Sequence, residues 1–166
     1  MDLNTVEAEV LALADALRRR GWHMASAESC TGGMIAAACT AVAGSSDWFE
    51  RGFVTYSNAA KVEMLGVDPS LIAAHGAVSK AVVEAMARGA VDRAGIELGV
   101  AVTGIAGPGG ATPGKPVGTV WLAVAQRGAG GDVQVRAERL LLPGDRSAVR
   151  EQTVRQALRR LREAAA

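Results

Sequence analysis

Cysteine and histidine are scarce in this sequence. Two cysteines, Cys30 and Cys39, and two histidines, His23 and His75, are all it holds, and their spacing fits no zinc pattern. Two cysteines do not make a disulfide framework, which points to a reducing compartment. Aromatic residues make up 4% and the net charge is +1. With no basic stripe interleaved with aromatic rings, this balance argues against direct nucleic-acid binding. Lysine occurs only at positions 61, 80 and 115, so a lysine inside a motif is less readily dismissed as surface filler. No apolar run is long and uninterrupted enough to cross a bilayer. The first twenty residues carry Asp2, Glu7, Glu9 and Asp15 and lack the apolar core of a secretory signal. The expectation is a soluble cytoplasmic protein without membrane or nucleic-acid partners. Its 166 residues, 49% of them hydrophobic, suffice for one domain spanning 1–166.

What is present is organised around the stretch 25–38, Ala-Ser-Ala-Glu-Ser-Cys-Thr-Gly-Gly-Met-Ile-Ala-Ala-Ala. A short extended segment runs into Ser29, then Cys30, Thr31, Gly32 and Gly33, then an alanine-rich run of helical character. A hydroxyl at such a turn has close backbone approach from the glycines and unpaired N–H groups with the positive end of a helix dipole behind it. The place suits a nucleophile, an anion, or a helix cap. Upstream, Leu3, Val6, Val10, Leu13, Ala14 and Leu17 fall at helical spacing, and the Arg18–Arg20 triplet before Gly21 ends that helix. Residues 22–28 read as a strand, 32–43 as a helix and 52–57 as a strand. Residues 59–65 read as a short helix capped by Asn58, 66–70 as a turn, and 79–95 as a helix capped by Ser79. A nearly continuous apolar strand over 98–105 suits burial on both faces. Strands over 117–125 and 132–142 form a hairpin nearer a sheet edge, and 146–163 is a last helix exposing Arg150, Arg155, Arg159 and Arg162. This order predicts one α/β domain, a mixed sheet sandwiched by helices in three α/β/α layers. Ligands gather beyond the carboxyl ends of strands in such sheets. The segments 29–33, 56–61 and 103–110 each follow a strand and are expected to meet.

Three motifs bear on chemistry. Gly109, Gly114 and Lys115 match the first part of a phosphate loop, but Pro116 stands where Ser or Thr would hold magnesium, and a strand rather than a helix follows. Gly107, Gly109 and then Thr112 do not complete a dinucleotide fingerprint either. In Tyr56-Ser57-Asn58-Ala59-Ala60-Lys61 a strand end runs into a helix, so Tyr56 and Lys61 can project toward one point. A serine that cleaves amides needs a base. With neither histidine beside an acidic partner, Ser–Lys with Tyr56 as a bridge is the available pair, provided the lysine is desolvated enough to be neutral. The bland reading has Tyr56 packing and Lys61 solvated. Thr103 and Gly104, ending the buried strand, can aim a hydroxyl and an N–H into the same cleft. Arg146, at the start of the last helix, can reach a phosphate bidentately. Glu28 alternates to the strand face opposite Ser29, which argues against it as the base. Cys30 has no evident base of its own.

Set side by side, these segments resemble the CinA carboxy-terminal family, the nicotinamide-nucleotide amidohydrolases. The resemblance rests on the run 27–33, on 44–46 with 52–61, on His75-Gly76-Ala77-Val78-Ser79, on 103–110 and on 115–120. Many members of that family carry a further amino-terminal molybdopterin-binding-like domain, and this chain resembles the stand-alone form. The resemblance implies deamidation of nicotinamide mononucleotide to nicotinic acid mononucleotide and ammonia, with neither metal nor cofactor. It implies Ser29 as nucleophile and Tyr56 and Lys61 as the proton-handling pair, the immediate base being open between them. Substrate-side residues would be Cys30, Thr31, Gly32 and Gly33 at the oxyanion, with Asn58, Thr103, Gly104, Gly107 and Arg146 around the ring and phosphate. A homodimer is expected for an enzyme of this size. The other classes considered are a pyridine-nucleotide-binding module without turnover and a competence- or DNA-damage-associated interaction protein.

Overall fold

A computed structural model describes residues 2–166; of the expected unit only Met1 lies outside them. Five strands form one sheet in the order β2-β1-β3-β4-β5. They are β1 (Met24–Glu28), β2 (Phe49–Val54), β3 (Leu98–Gly104), β4 (Thr119–Arg127) and β5 (Val133–Leu141). The helices are α1 (Glu7–Arg20), α2 (Met34–Thr40), α3 (Asn58–Leu65), α4 (Pro69–His75), α5 (Lys80–Ala94) and α6 (Arg146–Ala165). Strands β1, β2 and β3 are mutually parallel, while β4 and β5 add an antiparallel hairpin at one edge. The sheet is therefore mixed, as expected, and helices cover both of its faces.

The two faces are built differently. Met24, Leu98, Val100, Val102 and Leu122 supply bulk toward α1, α2 and α6. Toward α5 the strands show Ala25, Ala27, Ala101, Ala123 and Ala125. Small side chains let α5 lie close to the sheet. At Gly99 an added Cβ would stand 2.7 Å from Val91 Cγ2, so the strand is glycine where the helix presses hardest. The same closeness recurs one layer out. A Cβ at Gly89, in the middle of α5, would stand 2.1 Å from the carbonyl oxygen of Leu65 in α3. Alanine normally stabilises a helix relative to glycine by about 1 kcal/mol. Here the sign should reverse. Gly89→Ala is expected to lower stability by about 1–3 kcal/mol, because α3 must back away from α5. Urea unfolding with an unchanged m-value would measure it, and a stabilised variant would contradict it.

The parallel register decides where chemistry can sit. Glu28 pairs with Val54 on one side and Val102 on the other. Strands β1 and β2 thus end level while β3 runs on past Val102 to Gly104, and the turns after them open on one rim. The connection from β1 leads to one side of the sheet and the connection from β2 returns to the other. The crevice between β1 and β3 is the switch point where such folds bind ligands.

Several element boundaries differ from expectation (β1 begins at Met24 and not at residue 22, and β4 spans Thr119–Arg127 and not 117–125), and four differences have an evident local reason. Helix α2 begins at Met34, not at residue 32, because Gly32 and Gly33 have φ of 60° and 98°. Strand β2 spans Phe49–Val54, earlier than expected, since after the Thr55 N–H bond to the Glu28 carbonyl at 2.8 Å the chain turns through Tyr56 and Ser57 into α3. The cap of α3 is Ser57, whose Oγ accepts from the Ala60 N–H at 3.0 Å, not Asn58. What reads as a turn at residues 66–70 contains the start of α4, capped by Asp68 with Pro69 in its first turn.

Candidate active site

A cleft of about 220 Å³ lies at the shared carboxyl rim, lined among others by Ser29, Tyr56, Lys61, Thr103, Gly104 and Arg146. The three turns expected to meet do meet here. Ser29 leaves the end of β1, its N–H held by the Val102 carbonyl at 3.1 Å. Lys61 comes from the first turn of α3. Its Nζ lies 3.1 Å from Ser29 Oγ and donates to the Thr55 carbonyl at 2.8 Å.

The environment of Lys61 is unusual for a lysine. It is 1% exposed, and among the described residues no carboxylate pairs with it. Burial pulls its pKa below the usual 10.5, with only the neighbouring Cys30 acting in the opposite direction. A neutral amine within hydrogen-bonding reach of a hydroxyl can accept that hydroxyl's proton. Cys30 is buried next to it, and burial pushes its thiol up to about 12. A thiol so protonated is a poor nucleophile. Of the two side chains at this turn, the serine is the one with the Lys61 amine at hydrogen-bonding distance.

Tyr56 does not bridge the pair. It is 60% exposed, and its hydroxyl accepts from Arg146 Nη2 at 3.0 Å. Lys61 reaches Ser29 directly instead, because the first turn of α3 carries the amine under the β1–β2 rim. Arg146 also donates to the Gly107 carbonyl at 3.0 Å. It therefore ties the start of α6, the tyrosine turn and the loop after β3 at the mouth of the cleft. Thr103 is buried and its hydroxyl donates to the Ala77 carbonyl at 3.0 Å. It fixes the 76–79 segment as a cleft wall and does not present a free hydroxyl. Gly104 leaves no room for a side chain, since a Cβ would meet Val120 Cγ2 at 2.7 Å. Asn58 lines the rim, while Gly107 lies behind Arg146 and outside the lining.

The Cys30–Gly33 donors are mostly committed elsewhere. The Gly32 N–H donates to the Ser29 carbonyl at 3.1 Å and the Gly33 N–H to Glu28 Oε2 at 3.1 Å. Thr31 is buried with its hydroxyl on the same carboxylate oxygen at 2.7 Å. These three residues thus shape the turn and do not line the cleft. Among the described residues, no carbonyl or carboxylate accepts from the N–H of Cys30 or Thr31.

Two residues of this architecture escape the motif reading. Glu28 is fully buried on the face away from Ser29, as alternation predicts. Besides Thr31 and Gly33 it takes the N–H groups of Ile35 and Ala36 at 3.0 and 2.9 Å and the Ser26 hydroxyl at 3.2 Å. It closes the start of α2 in place of a conventional cap. Arg150, expected to face water, is half-buried and bonds the carbonyls of Cys30 and Thr31. Its position one helical turn after Arg146 was the available signal. The phosphate-loop resemblance dissolves in the structure. Thr112 and Lys115 pair with each other across a tight loop, and Lys115 Nζ donates to the His75 carbonyl at 2.9 Å.

Comparison with known proteins agrees with this architecture. The profile of the CinA C-terminal domain matches residues 6–165. A protein named nicotinamide-nucleotide amidohydrolase PncC from Pseudomonas putida is 55% identical over 146 residues, covering 88% of each chain. A CinA-like protein from Akkermansia muciniphila is 54% identical over 148 residues, covering 89% of this chain and 35% of that one. The chain thus spans about a third of the length of the longer curated relatives and most of the shorter. A crystal structure of a competence-damaged protein (CinA) superfamily protein from Klebsiella pneumoniae superposes with a TM-score of 0.90 at 40% identity, covering 96% of this chain and 97% of that one. The match over nearly the whole length, in sequence and in backbone, shows that this chain belongs to the CinA C-terminal domain family.

Proposed function

We propose that the chain is an amidohydrolase that deamidates nicotinamide mononucleotide through an acyl-enzyme on Ser29. The observation that carries this reading is the 3.1 Å approach of a buried, carboxylate-free Lys61 amine to Ser29 Oγ at the rim of the parallel strands. The relatives named nicotinamide-nucleotide amidohydrolase supply the substrate class. Ser29 Oγ attacks the carboxamide carbon while its proton passes to the neutral Lys61 amine. The C–N bond then breaks as Lys61 returns that proton to the leaving nitrogen, releasing ammonia. Water attacks the acyl-enzyme, giving one proton to Lys61, which passes it to Ser29 Oγ as nicotinic acid mononucleotide leaves. The N–H of Cys30, which lines the cleft, is the donor on the oxyanion side, and one such donor is typically worth about 3 kcal/mol. Every group used is the protein's own.

The cleft admits a pyridine ring with its carboxamide, which leaves the ribose phosphate at the mouth. There Arg146 has N–H groups beyond the two that bind Gly107 and Tyr56. Ammonia release should therefore be compared across nicotinamide, its riboside and its mononucleotide. The mononucleotide should be preferred. Arg146→Ala should raise its KM by about 10- to 100-fold, the loss of charge-assisted hydrogen bonds, and leave the riboside's KM unchanged. No ammonia from any of the three would sink the reading, and equal KM changes for riboside and mononucleotide would remove the phosphate role.

A further inference from the structure

The polar groups of the Ser29–Gly33 turn divide into two sets. The Gly33 N–H and the Thr31 hydroxyl, joined by two N–H groups of the first turn of α2, converge on the Glu28 carboxylate. Two of the turn's carbonyls converge on one cation. Arg150 Nε donates to the Cys30 carbonyl at 3.1 Å and Nη2 to the Thr31 carbonyl at 3.0 Å. The guanidinium lies against the turn, and a Cβ at Gly32 would touch Nη2 at 3.6 Å. Other arginines of α6 are spent differently. Arg155 pairs with Glu9, Arg159 with Glu163, and Arg160 with Glu138 and Glu163. Among the described residues Arg150 has no carboxylate partner, and its hydrogen bonds go to the nucleophile's turn.

We propose that Arg150 is a positioning residue of the nucleophile turn, one that fixes and polarises the peptide groups beside Ser29. In a trans peptide the C=O and N–H point in opposite directions. Fixing the Cys30 carbonyl toward α6 therefore fixes the Thr31 N–H away from it. A cation on that carbonyl also draws electron density from the shared peptide and strengthens the N–H as a donor. The adjoining peptide is set by the Gly32 N–H on the Ser29 carbonyl, which leaves the Cys30 N–H on the opposite side. Thr31 is fully buried, so of the two it is the Cys30 N–H, beside its own thiol and on the cleft lining, that faces the site. Arg150 thus acts through the backbone and not by touching substrate. A bidentate planar fork suits two successive carbonyls, and a lysine cannot span both.

This inference rests on Ser29 being the nucleophile but not on the identity of the substrate. The test is the rate at which a fluorophosphonate labels Ser29. In that reaction the Ser29 O–P bond forms, the P–F bond breaks, fluoride leaves, and the serine proton goes to Lys61. Arg150→Ala should label about 100-fold more slowly, the scale of a lost oxyanion donor, and added guanidinium ion should restore much of the rate. Arg150→Lys should fall between the two. In the ammonia assay kcat should drop by the same factor while KM stays within about twofold, and the pH at which activity rises should not move. Thermal unfolding on the same samples shows that the variants are folded; if Arg150→Ala is not, Arg150→Lys decides alone. Labelling within threefold of the parent protein in the folded variants, including none in either, overturns the proposal. So does a raised KM at unchanged kcat, which would make Arg150 a substrate ligand. Normal labelling of the parent protein with no ammonia from the mononucleotide would instead remove the substrate reading and leave Arg150 in place.

Discussion

Replacing Ser29 by alanine is expected to lower ammonia release from nicotinamide mononucleotide by about 10⁴-fold or more, with the protein fully folded. The size follows from what the substitution removes. Without Oγ no acyl-enzyme forms, and the cleft retains only its binding and oxyanion donors, which by themselves accelerate a direct attack by water far less. The fold should hardly notice. Ser29 is anchored by its backbone N–H on Val102, and Lys61 keeps the Thr55 carbonyl. Intact-mass measurement on rapidly quenched samples should find a nicotinoyl-nucleotide adduct on the parent protein and none on the variant. Activity within tenfold of the parent would show that water attacks the carboxamide directly, and the covalent route would be lost.

That prediction was within reach of the sequence because its geometry depends on strand order. Ser29 follows β1, Lys61 follows the turn after β2 and Thr103 sits near the end of β3, and parallel strands ending on one rim bring these positions together. Helices α1, α5 and α6 were legible for a similar reason, each carrying one periodic apolar face. Helix α4 was not, because its seven residues sit behind a Gly-Val-Asp-Pro run that punctuates like a turn. Partnerships set by how layers cross were equally out of reach. Arg150 looks like Arg155 and Arg159 in the sequence. Only the packing of α6 beside the turn after β1 sends Arg150 to two successive carbonyls of that turn, while Arg155 and Arg159 meet carboxylates. Glu28 was placed on the correct face by alternation, yet its five donors come from the particular turn that Gly32 and Gly33 allow. Tyr56 shows the converse. Its place in the motif suggested a bridge between serine and lysine, but α3 delivers the amine without one, and the ring turns outward to Arg146.

The second large effect belongs to Lys61, where activity and stability should part company. Lys61→Met keeps the length and apolar stem and deletes the amine. Ammonia release should fall by about 10²–10⁴-fold, the usual worth of a general base. Lys61→Arg should be equally inactive, since a guanidinium stays protonated and cannot accept the serine proton. In the parent protein kcat/KM should rise with pH through a value below 10.5, because the neutral amine is the working form and burial lowers its pKa. The same shift has a thermodynamic face. Between the lowered folded value and 10.5, the unfolded chain binds a proton that the native state does not. The parent's stability therefore rises with pH across that window, and below it the cost of burying the charge is felt in full. Methionine carries no such cost. Its only debit is the loss of hydrogen bonds to Thr55 and Ser29, each worth about 1 kcal/mol net. Lys61→Met should accordingly melt at or above the parent temperature near pH 7, and its advantage should shrink as pH is raised toward 10. An advantage that grew with pH, or a variant that melted much lower at every pH, would mean that Lys61 is held as a stabilising charge, and the amine could not then serve as the base for Ser29.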